Sequence, residues 1–449
     1  MIPLVPKNIP LLRHFLSERF VFFTFAPEIN LAYMKKEKKA KERKPNWKEY
    51  MASVEDIQNF LMDRILLRHN VITRRVEYRF PAEFRGETTE WEPLSDRIIN
   101  SLWTELSATK VVRAQDIYRV VESDFVPEYN PFTYYLEHLP PWNGENHILA
   151  MSMSVQVKGG VEEQMRFADY LTKWLVAMVA GWVNPQVVNN VILVLIGEQG
   201  SYKTTWFNYL LPPPLRAYFY TKTNASRMGR DDLLTLAQYG LVCCEELDTM
   251  SNKELNQLKA AVTMPTIDER AAYAHYAEHR QHIASFCGTG NNAQFLCDPT
   301  GNRRWLPFEI DSITSPRDHP FDYEGIYSQA YALYRQGFRY WFSQEEIEEL
   351  AEHNKAYEVP QIEQELVDIF FRRPVENETG EYMPVSRAMQ VIGGYMSMHI
   401  NISRLGQAFI TQGYESKRTK HSRGYIVVQR DAGQIKERLK ILAYDDKPF

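Results

Sequence analysis

The strongest constraint on this chain is a short apolar run that passes directly into a glycine-rich turn. Residues 191–196 read Val-Ile-Leu-Val-Leu-Ile, which is typical of a central strand buried on both faces of a parallel sheet. Residues 197–205 then read Gly-Glu-Gln-Gly-Ser-Tyr-Lys-Thr-Thr, and a helical run follows until Pro212-Pro213-Pro214. A strand, a glycine-rich turn, Lys-Thr and a helix are the context of a phosphate-binding P-loop. The alternative is an ordinary strand-to-helix turn.

The glycine-rich turn predicts ATP and Mg²⁺ as cofactors. Its backbone N–H groups would converge on phosphate oxygens at a helix amino terminus. Lys203 would reach the β- and γ-phosphates, and the Thr204 hydroxyl would bind Mg²⁺. Tyr202 stands where the P-loop pattern has glycine, so we expect its backbone to stay out of left-handed space. The predicted nucleotide-binding residues are Gly197, Glu198, Gln199, Gly200, Ser201, Tyr202, Lys203, Thr204 and Thr205.

A second apolar run, Leu241 to Cys244, ends in two carboxylates, which is the form of a Walker B motif. We expect Glu245 to hold Mg²⁺, directly or through water, and Glu246 to polarise the attacking water. Acidic pairs at strand ends are often merely solvated. The position of this pair after a P-loop favours the catalytic interpretation.

A third apolar run, Ile283 to Cys287, leads into Gly288-Thr289-Gly290-Asn291-Asn292. A polar amide at the tip of a strand beside a Walker B motif is the sensor position of AAA+-like ATPases. We assign Asn291 to this role, with Asn292 as the near alternative. Taken alone, Gly-Asn-Asn is simply a turn.

Two neighbouring arginines follow the sensor segment. Arg303 and Arg304 could act in trans, as arginine fingers on the nucleotide of a neighbouring subunit. The alternative is an exposed pair without a catalytic role.

The order of these elements predicts an α/β fold with a mainly parallel sheet. We expect a P-loop, AAA+-like core with a helical amino-terminal domain and a carboxy-terminal winged-helix-like module. Predicted helices include Val54–Leu67, 163–183 and those capped by Ser251 and Ser343. The expected divisions are an extension with a basic run (1–45), a mostly helical domain (46–185), the ATPase core (186–315), a helical lid (316–360) and the carboxy-terminal domain (361–449).

Composition limits the partners and the compartment. The net charge of −5 means that any nucleic-acid contact must come from local basic patches. The four cysteines, Cys243, Cys244, Cys287 and Cys297, form no C-x-x-C pair, so we expect reduced thiols and no zinc site. Polar residues interrupt the apolar stretch 174–196, which argues against a membrane span and favours the cytoplasm. A start at Met34, with residues 1–33 as an upstream extension, is one hypothesis for the amino terminus.

The carboxy-terminal segment has the outline of a winged helix. Two short helical runs, Val385–Tyr395 and Ile402–Tyr414, precede a basic stretch and an apolar strand. Such a module would place Ser403, Arg404 and Gln407 in a major groove. Lys417, Arg418, Lys420 and Arg423 would then contact phosphates. The alternative is a small packing domain whose basic loop is only solvated.

These motifs together resemble the virulence-associated protein E (VapE) family, P-loop proteins of phages and mobile elements related to superfamily 3 helicases. The matching strings include Glu245-Glu246-Leu247-Asp248, Asn130-Pro131-Phe132 and Trp142-Asn143-Gly144. The most family-specific string is residues 295–305, Phe-Leu-Cys-Asp-Pro-Thr-Gly-Asn-Arg-Arg-Trp. The resemblance runs from about residue 57 to residue 355. Tyr202 and the carboxy-terminal segment resemble a Bacteroides-type branch, and Glu245 replaces a commoner aspartate.

The resemblance implies further site residues and partners. Arg270 and Tyr273 match an element that, by analogy with superfamily 3 helicases, forms a hairpin touching DNA in a central pore. It also implies single- or double-stranded DNA as partner and a homo-oligomeric ring such as a hexamer. The sequence has no apparent primase signature, so we expect any primase that is needed to lie on another chain.

Three functions remain open from the sequence. The first is an ATP-dependent DNA-remodelling enzyme, a helicase or replication initiator of a phage or mobile element. The second is a nucleotide-regulated DNA-binding or interference protein with little ATP turnover, for which Tyr202 gives some support. The third is a small-molecule kinase, which Glu245-Glu246, Asn291 and the arginine pair disfavour.

Overall fold

The computed structural model describes residues 50–82, 90–222, 230–269, 278–296, 302–359, 362–375, 378–396, 400–419 and 423–445. These residues fall into two compact units. The smaller unit holds the described residues up to 67 and residues 76–126, and the larger holds 68–75 and the described residues from 127 onward. Among the described residues, none of the helices is both long enough and apolar enough to cross a membrane.

The smaller unit packs three amphipathic helices around an aliphatic core that includes Ile57, Leu61 and Leu102. A capping box between Ser53 and Asp56 begins the first helix, and its last residue is Arg64 rather than the expected Leu67. Leu66 already belongs to a strand, because the chain turns extended at Ile65. The elements are helices α1 (Val54–Arg64), α2 (Asp96–Ser107) and α3 (Ala114–Val121), and strands β1 (Leu66–Asn70, continuing into the larger unit), β2 (Arg75–Arg79) and β3 (Glu92–Pro93).

The larger unit is built on a six-stranded sheet. Five strands are parallel, and the edge strand from residue 155 is antiparallel to its neighbour. The strands of this unit are β4 (Glu128–Tyr129), β5 (Val155–Val157), β6 (Ile192–Ile196), β7 (Phe219–Lys222), β8 (Leu241–Cys244), β9 (Thr266–Glu269), β10 (Glu278–Gln281), β11 (Ser285–Gly290) and β12 (Trp305–Ile313). The order in the sheet is β5-β12-β6-β11-β8-β7, so that β6 and β8 flank β11.

The strand that we predicted over residues 283–287 begins and ends later in the chain. β11 runs from Ser285 to Gly290, so it includes three residues beyond the predicted end at Cys287. Gly288 lets this strand pack closely against Leu247, because a Cβ added at residue 288 would lie only 2.2 Å from Leu247 Cδ1. Parallel pairing with both neighbours holds the segment extended.

Helices cover the sheet, and one of them lies on the other side of an expected domain boundary. The helices are α4 (Pro131–Glu137), α5 (His147–Ser152), α6 (Gly160–Val183), α7 (Lys203–Leu210), α8 (Arg230–Gln238), α9 (Asn252–Val262), α10 (Tyr323–Arg335) and α11 (Gln344–Asn354). Within α6, the Trp174 indole donates to the Phe286 carbonyl of β11 at 3.0 Å. We expected a boundary after residue 185, whereas the compact unit begins at 127, because α6 is apolar on most faces and shares the core of the sheet.

The carboxy-terminal segment has its own hydrophobic core, in which Phe409 stacks on Tyr425 with ring centroids 4.9 Å apart. The two expected helices are present but end slightly earlier than predicted, at Gly393 and Thr411, and the basic strand pairs antiparallel with the apolar strand. The elements are α12 (Ile362–Phe370), β13 (Phe371–Arg372), β14 (Glu381–Pro384), α13 (Val385–Gly393), α14 (Ile402–Thr411), β15 (Ser416–Arg418), β16 (Arg423–Gln429) and α15 (Ala432–Asp445).

Candidate functional site

The glycine-rich loop 197–202 joins the carboxyl end of β6 to the amino terminus of α7. Gly197 is packed so closely that an added Cβ would lie 2.7 Å from Ile310 Cγ1. Gly200 has a φ of 84°, a conformation that favours glycine. These two glycines therefore fix where the loop leaves the sheet and how it turns towards the helix.

Tyr202 adopts the conformation that we expected it to avoid. Its backbone lies in the left-handed region, with φ 63° and ψ 14°, immediately before the first residue of α7. For a residue with a side chain this conformation costs roughly 1–2 kcal/mol. The turn is held by the helix, because Trp206 N–H donates to the Tyr202 carbonyl at 2.8 Å. Tyr202 is 48% exposed, and its positive φ places the strain in the backbone.

Lys203 is the buried cation of the loop, with only 7% of the residue exposed. Its ammonium donates to the carbonyls of Gly197 and Glu198, both at 2.7 Å, and to Ser201 Oγ at 3.2 Å. Burial lowers the pKa of Lys203, and the nearby Asp248 carboxylate opposes that shift. The positive charge is thus held at the base of the loop by backbone dipoles.

Thr204 and Glu245 join the loop to the end of β8. The Thr204 hydroxyl donates to Glu245 Oε1 at 2.8 Å. A hydroxyl oxygen beside a carboxylate oxygen is a donor set that suits Mg²⁺, which prefers hard oxygen ligands. Glu246 follows in the left-handed region, with φ 54°, and is exposed. The strand end therefore turns sharply, so that the two adjacent carboxylates have different environments.

Asp248 is a site residue to which the sequence assigned no role. Its Oδ1 accepts from Asn291 N–H at 3.2 Å and its Oδ2 from Asn292 N–H at 3.1 Å. This carboxylate therefore ties the turn after β8 to the tip of β11. The signal available in the sequence was only its place in the Glu-Glu-Leu-Asp string.

The two candidate sensor amides are in different positions. Asn291 Oδ1 lies 3.5 Å from Lys203 Nζ. Asn292 Oδ1 instead accepts from Gln294 N–H at 3.0 Å, within its own turn. Of the two, Asn291 is the amide that faces the glycine-rich loop.

These groups surround one cavity of about 300 Å³ at the carboxyl ends of β6, β8 and β11. Gly197 and Glu198 lie outside its lining and contribute the carbonyls that hold Lys203. The lining residues are Gln199, Gly200, Ser201, Tyr202, Lys203, Thr204, Thr205, Glu245, Glu246, Thr289, Gly290 and Asn291.

Arg303 and Arg304 lie at the opposite end of the same sheet. They belong to a short 3₁₀ turn, residues 302–304, that precedes β12, whose first residue pairs with Ile192 at the start of β6. The glycine-rich loop leaves β6 after its last residue, and a five-residue strand spans about 13 Å. The arginine pair therefore does not contact the cavity formed by its own chain.

The predicted DNA-contacting residues are only partly described. Strands β9 and β10 form an antiparallel pair, but Arg270 and Tyr273 lie outside the described residues, as does Lys420. Ser403, Arg404 and Gln407 are exposed on α14. Lys417 and Arg418 on β15, and Arg423 at the start of β16, are exposed as well.

The strand order and the cavity define an α/β protein with a glycine-rich loop, a buried lysine and two adjacent carboxylates at the carboxyl end of its sheet. Residues 136–359 match the sequence model of the virulence-associated protein E-like domain, and the chain belongs to the virulence-associated protein E family. No curated protein matches the chain significantly.

Two solved structures show a distant likeness to this chain. One is the apo structure of the NrS-1 C-terminal region (305–718), with a TM-score of 0.43 and 11% identity over 83% of this chain and 98% of that one. An A form of the apo C-terminal region of NrS-1 has a TM-score of 0.43 and 13% identity over the same shares. At these scores the likeness carries no inference about this chain.

Proposed function

We propose that this chain is a P-loop, AAA+-like ATPase that remodels nucleic acid, as a DNA helicase or replication initiator of a phage or mobile element. The observation that supports it best is the convergence of Lys203, the Thr204–Glu245 pair and Asn291 on one cavity. β11, which leads to Asn291, lies between the strand that carries the loop and the strand that carries the carboxylates. That is the position expected for the sensor of an AAA+-like ATPase.

Each group at the cavity has a role in this proposal. Mg²⁺-bound ATP would supply the phosphoryl group whose transfer to water drives the enzyme. Lys203 holds positive charge where the β- and γ-phosphates bind, and Thr204 and Glu245 provide oxygen ligands for the metal. Glu246 orients the attacking water, and Asn291 positions the γ-phosphate or that water.

Nucleic acid would be bound by elements away from this cavity. The β9–β10 pair leads into the segment that contains Arg270 and Tyr273. The exposed Arg404, and the basic residues of the β15–β16 hairpin, provide charge for contact with phosphates. In a homo-oligomeric ring such as a hexamer, Arg303 and Arg304 would meet the nucleotide of the neighbouring subunit.

ATP hydrolysis in the presence and absence of single-stranded DNA tests the first part of the proposal. We expect turnover that single-stranded DNA stimulates, and separation of a forked DNA duplex by the same preparation. Wild-type protein that binds ATP without hydrolysing it would overturn the enzymatic proposal. Hydrolysis without strand separation would restrict it to a DNA-dependent ATPase.

The role of Arg303 and Arg304 is tested by mixing two inactive variants. Lys203→Ala lacks the loop cation, and the Arg303→Ala/Arg304→Ala variant lacks the proposed fingers. If the arginines act in trans, mixed oligomers contain some intact sites and regain hydrolysis. A mixture as inactive as its components would contradict action in trans.

One alternative function has a specific observation in its favour. Tyr202 is strained, and Lys203 is held by the loop's own carbonyls, so the loop could bind nucleotide as a switch with little turnover. A nucleotide-regulated DNA-binding or interference protein would then change its DNA affinity with ATP. Measurement of DNA binding with ATP and with ADP separates this function from the enzymatic one.

A further inference from the structure

A second cavity, of about 560 Å³, lies at the amino end of the sheet, where Arg303 and Arg304 are found. The segment 186–191 before β6, the end of α9 with Pro265, and the connection from α10 to α11 form its walls. Its volume lies within the range of pockets that hold small ligands. The glycine-rich loop does not contribute to it, so it is separate from the candidate ATP site.

Among the described residues that line this cavity, the charged groups are all cationic. Arg303 is exposed and Arg304 is half-buried, and none of these described lining residues is a carboxylate. Within the described part of the chain, neither arginine has an ion-pair partner. Unpaired guanidinium groups in a concave site suit a phosphate, to which they can donate two parallel hydrogen bonds.

An exposed aromatic surface accompanies the arginines. Trp341 is 58% exposed and lies in the wall of the cavity beside Tyr340, with ring centroids 5.2 Å apart. An exposed indole that lines the same cavity as two guanidinium groups is a platform on which a nucleobase can stack. Nearby amides of Gln186 and Asn190 add hydrogen-bonding capacity around that platform.

We propose that this cavity binds one nucleotide unit, with its base on Trp341 and its phosphate on Arg303 and Arg304. This inference goes beyond the proposed function, because it gives the arginine pair a ligand within its own chain in addition to the role proposed in trans. It predicts direct binding by this chain, without the nucleotide site of another copy. The unit has two sources, a nucleic-acid strand or a free mononucleotide, which share this chemistry.

The experiment first removes the cation of the glycine-rich loop and three basic residues of the carboxy-terminal hairpin. The background variant carries Lys203→Ala, Lys417→Ala, Arg418→Ala and Arg423→Ala, which remove the loop cation and the basic hairpin residues. Affinities for ADP and for a 20-nucleotide oligothymidylate are then measured by anisotropy, in this background with Trp341, with Trp341→Ala and with Trp341→Phe. Tyr134→Ala and Arg317→Ala, at an exposed aromatic and an exposed arginine elsewhere, are the controls.

We expect Trp341→Ala to weaken the binding of one of the two ligands about tenfold, which corresponds to the loss of one base stack. Trp341→Phe should restore part of that affinity. A loss with the oligothymidylate assigns the site to a strand, and a loss with ADP assigns it to a mononucleotide. In the first case, a 5-iodouridine oligonucleotide should crosslink to the peptide with residues 340–342. Equal affinity of all Trp341 variants for both ligands, without that crosslink, would overturn the proposal.

These outcomes are independent of the proposed ATPase activity. The background variant lacks Lys203, so binding in it does not depend on turnover at the glycine-rich loop. A wild-type protein without hydrolysis but with Trp341-dependent binding would contradict the proposed function alone. Since Trp341 is mostly in solvent, its replacement should leave the folded state intact.

Discussion

The two ends of the central sheet carry two cavities that are built in opposite ways. At the carboxyl end, Lys203, Thr204 and Asp248 are joined to backbone or side-chain partners at 2.7–3.2 Å. At the amino end, Arg303 and Arg304 have no ion-pair partner within the described residues. The polar groups of the first site are already oriented by the protein, whereas in our proposal an incoming ligand supplies the partners at the second site.

In our proposal, the cavity at the carboxyl end serves chemistry and the cavity at the amino end serves binding. Polar groups that are already oriented stabilise charge in a reaction without further reorganisation. Unpaired arginines beside an exposed ring provide attraction and contact area, which favours association with a ligand. Substitutions at the carboxyl end should therefore change the rate of hydrolysis, and substitution of Trp341 at the amino end should change ligand affinity.

The largest expected effect at the carboxyl end comes from Lys203→Ala. Loss of the cation should lower ATP hydrolysis by about 100-fold or more, because the charge of the transferring phosphoryl group is no longer stabilised. Phosphate release under steady-state conditions measures this. Lys253→Ala, at an exposed lysine on α9, is the control and should keep wild-type turnover.

Glu246→Gln should lower kcat by about 100-fold while ATP binding is retained. The glutamine keeps the size of the side chain but cannot accept the proton of the attacking water. Separate measurement of ATP affinity and of single-turnover hydrolysis checks this. A variant with normal turnover would assign the water-activating role to another residue.

Asp248→Asn should have an intermediate effect, about tenfold on kcat. Its carboxylate accepts hydrogen bonds from the backbone N–H groups of Asn291 and Asn292. The amide of asparagine has only one oxygen, so it can keep only one of these two hydrogen bonds as they stand. If Asp248 positions the sensor, KM for ATP should change less than kcat. Asp311→Asn, at an exposed aspartate, is the control. If Asp248→Asn lowers thermal stability together with kcat, the role of Asp248 is purely structural.

The smallest effect is expected at Tyr202. Tyr202→Gly should relieve left-handed strain and raise the stability of the loop, by up to about 1 kcal/mol after the entropic cost of glycine. Tyr202→Val should do the opposite, because a β-branched residue is least tolerated there. Thermal unfolding with and without ATP compares the two. A less stable glycine variant would mean that the phenol ring makes a contribution larger than the strain.

Local signals in the sequence predicted the parts of the candidate site that depend on neighbouring residues. The buried strand before Gly197, the strand before Glu245 and the capping box at Ser251 are short-range patterns, and each was found as predicted. The extent of β11 was not predicted, because its glycine-rich end is held extended by pairing with two distant strands.

The features that the sequence did not predict depend on contacts between residues far apart in the chain. Asp248 reaches Asn291 across 43 residues, and no periodicity reports that pairing. Tyr202 lies in the left-handed region because the loop must connect β6 to the start of α7, and the positions of that strand and that helix depend on the whole sheet. The cavity at the amino end combines segments near residues 190, 304 and 341, which only the folded sheet brings together.

The most direct test of the central claim is the release of inorganic phosphate from ATP by the wild-type chain, measured with and without single-stranded DNA. The arrangement of Lys203, Thr204, Glu245 and Asn291 around one cavity predicts Mg²⁺-dependent hydrolysis that DNA accelerates. Hydrolysis absent under both conditions, with ATP bound, would contradict an ATP-driven enzyme and favour a nucleotide-controlled binding protein.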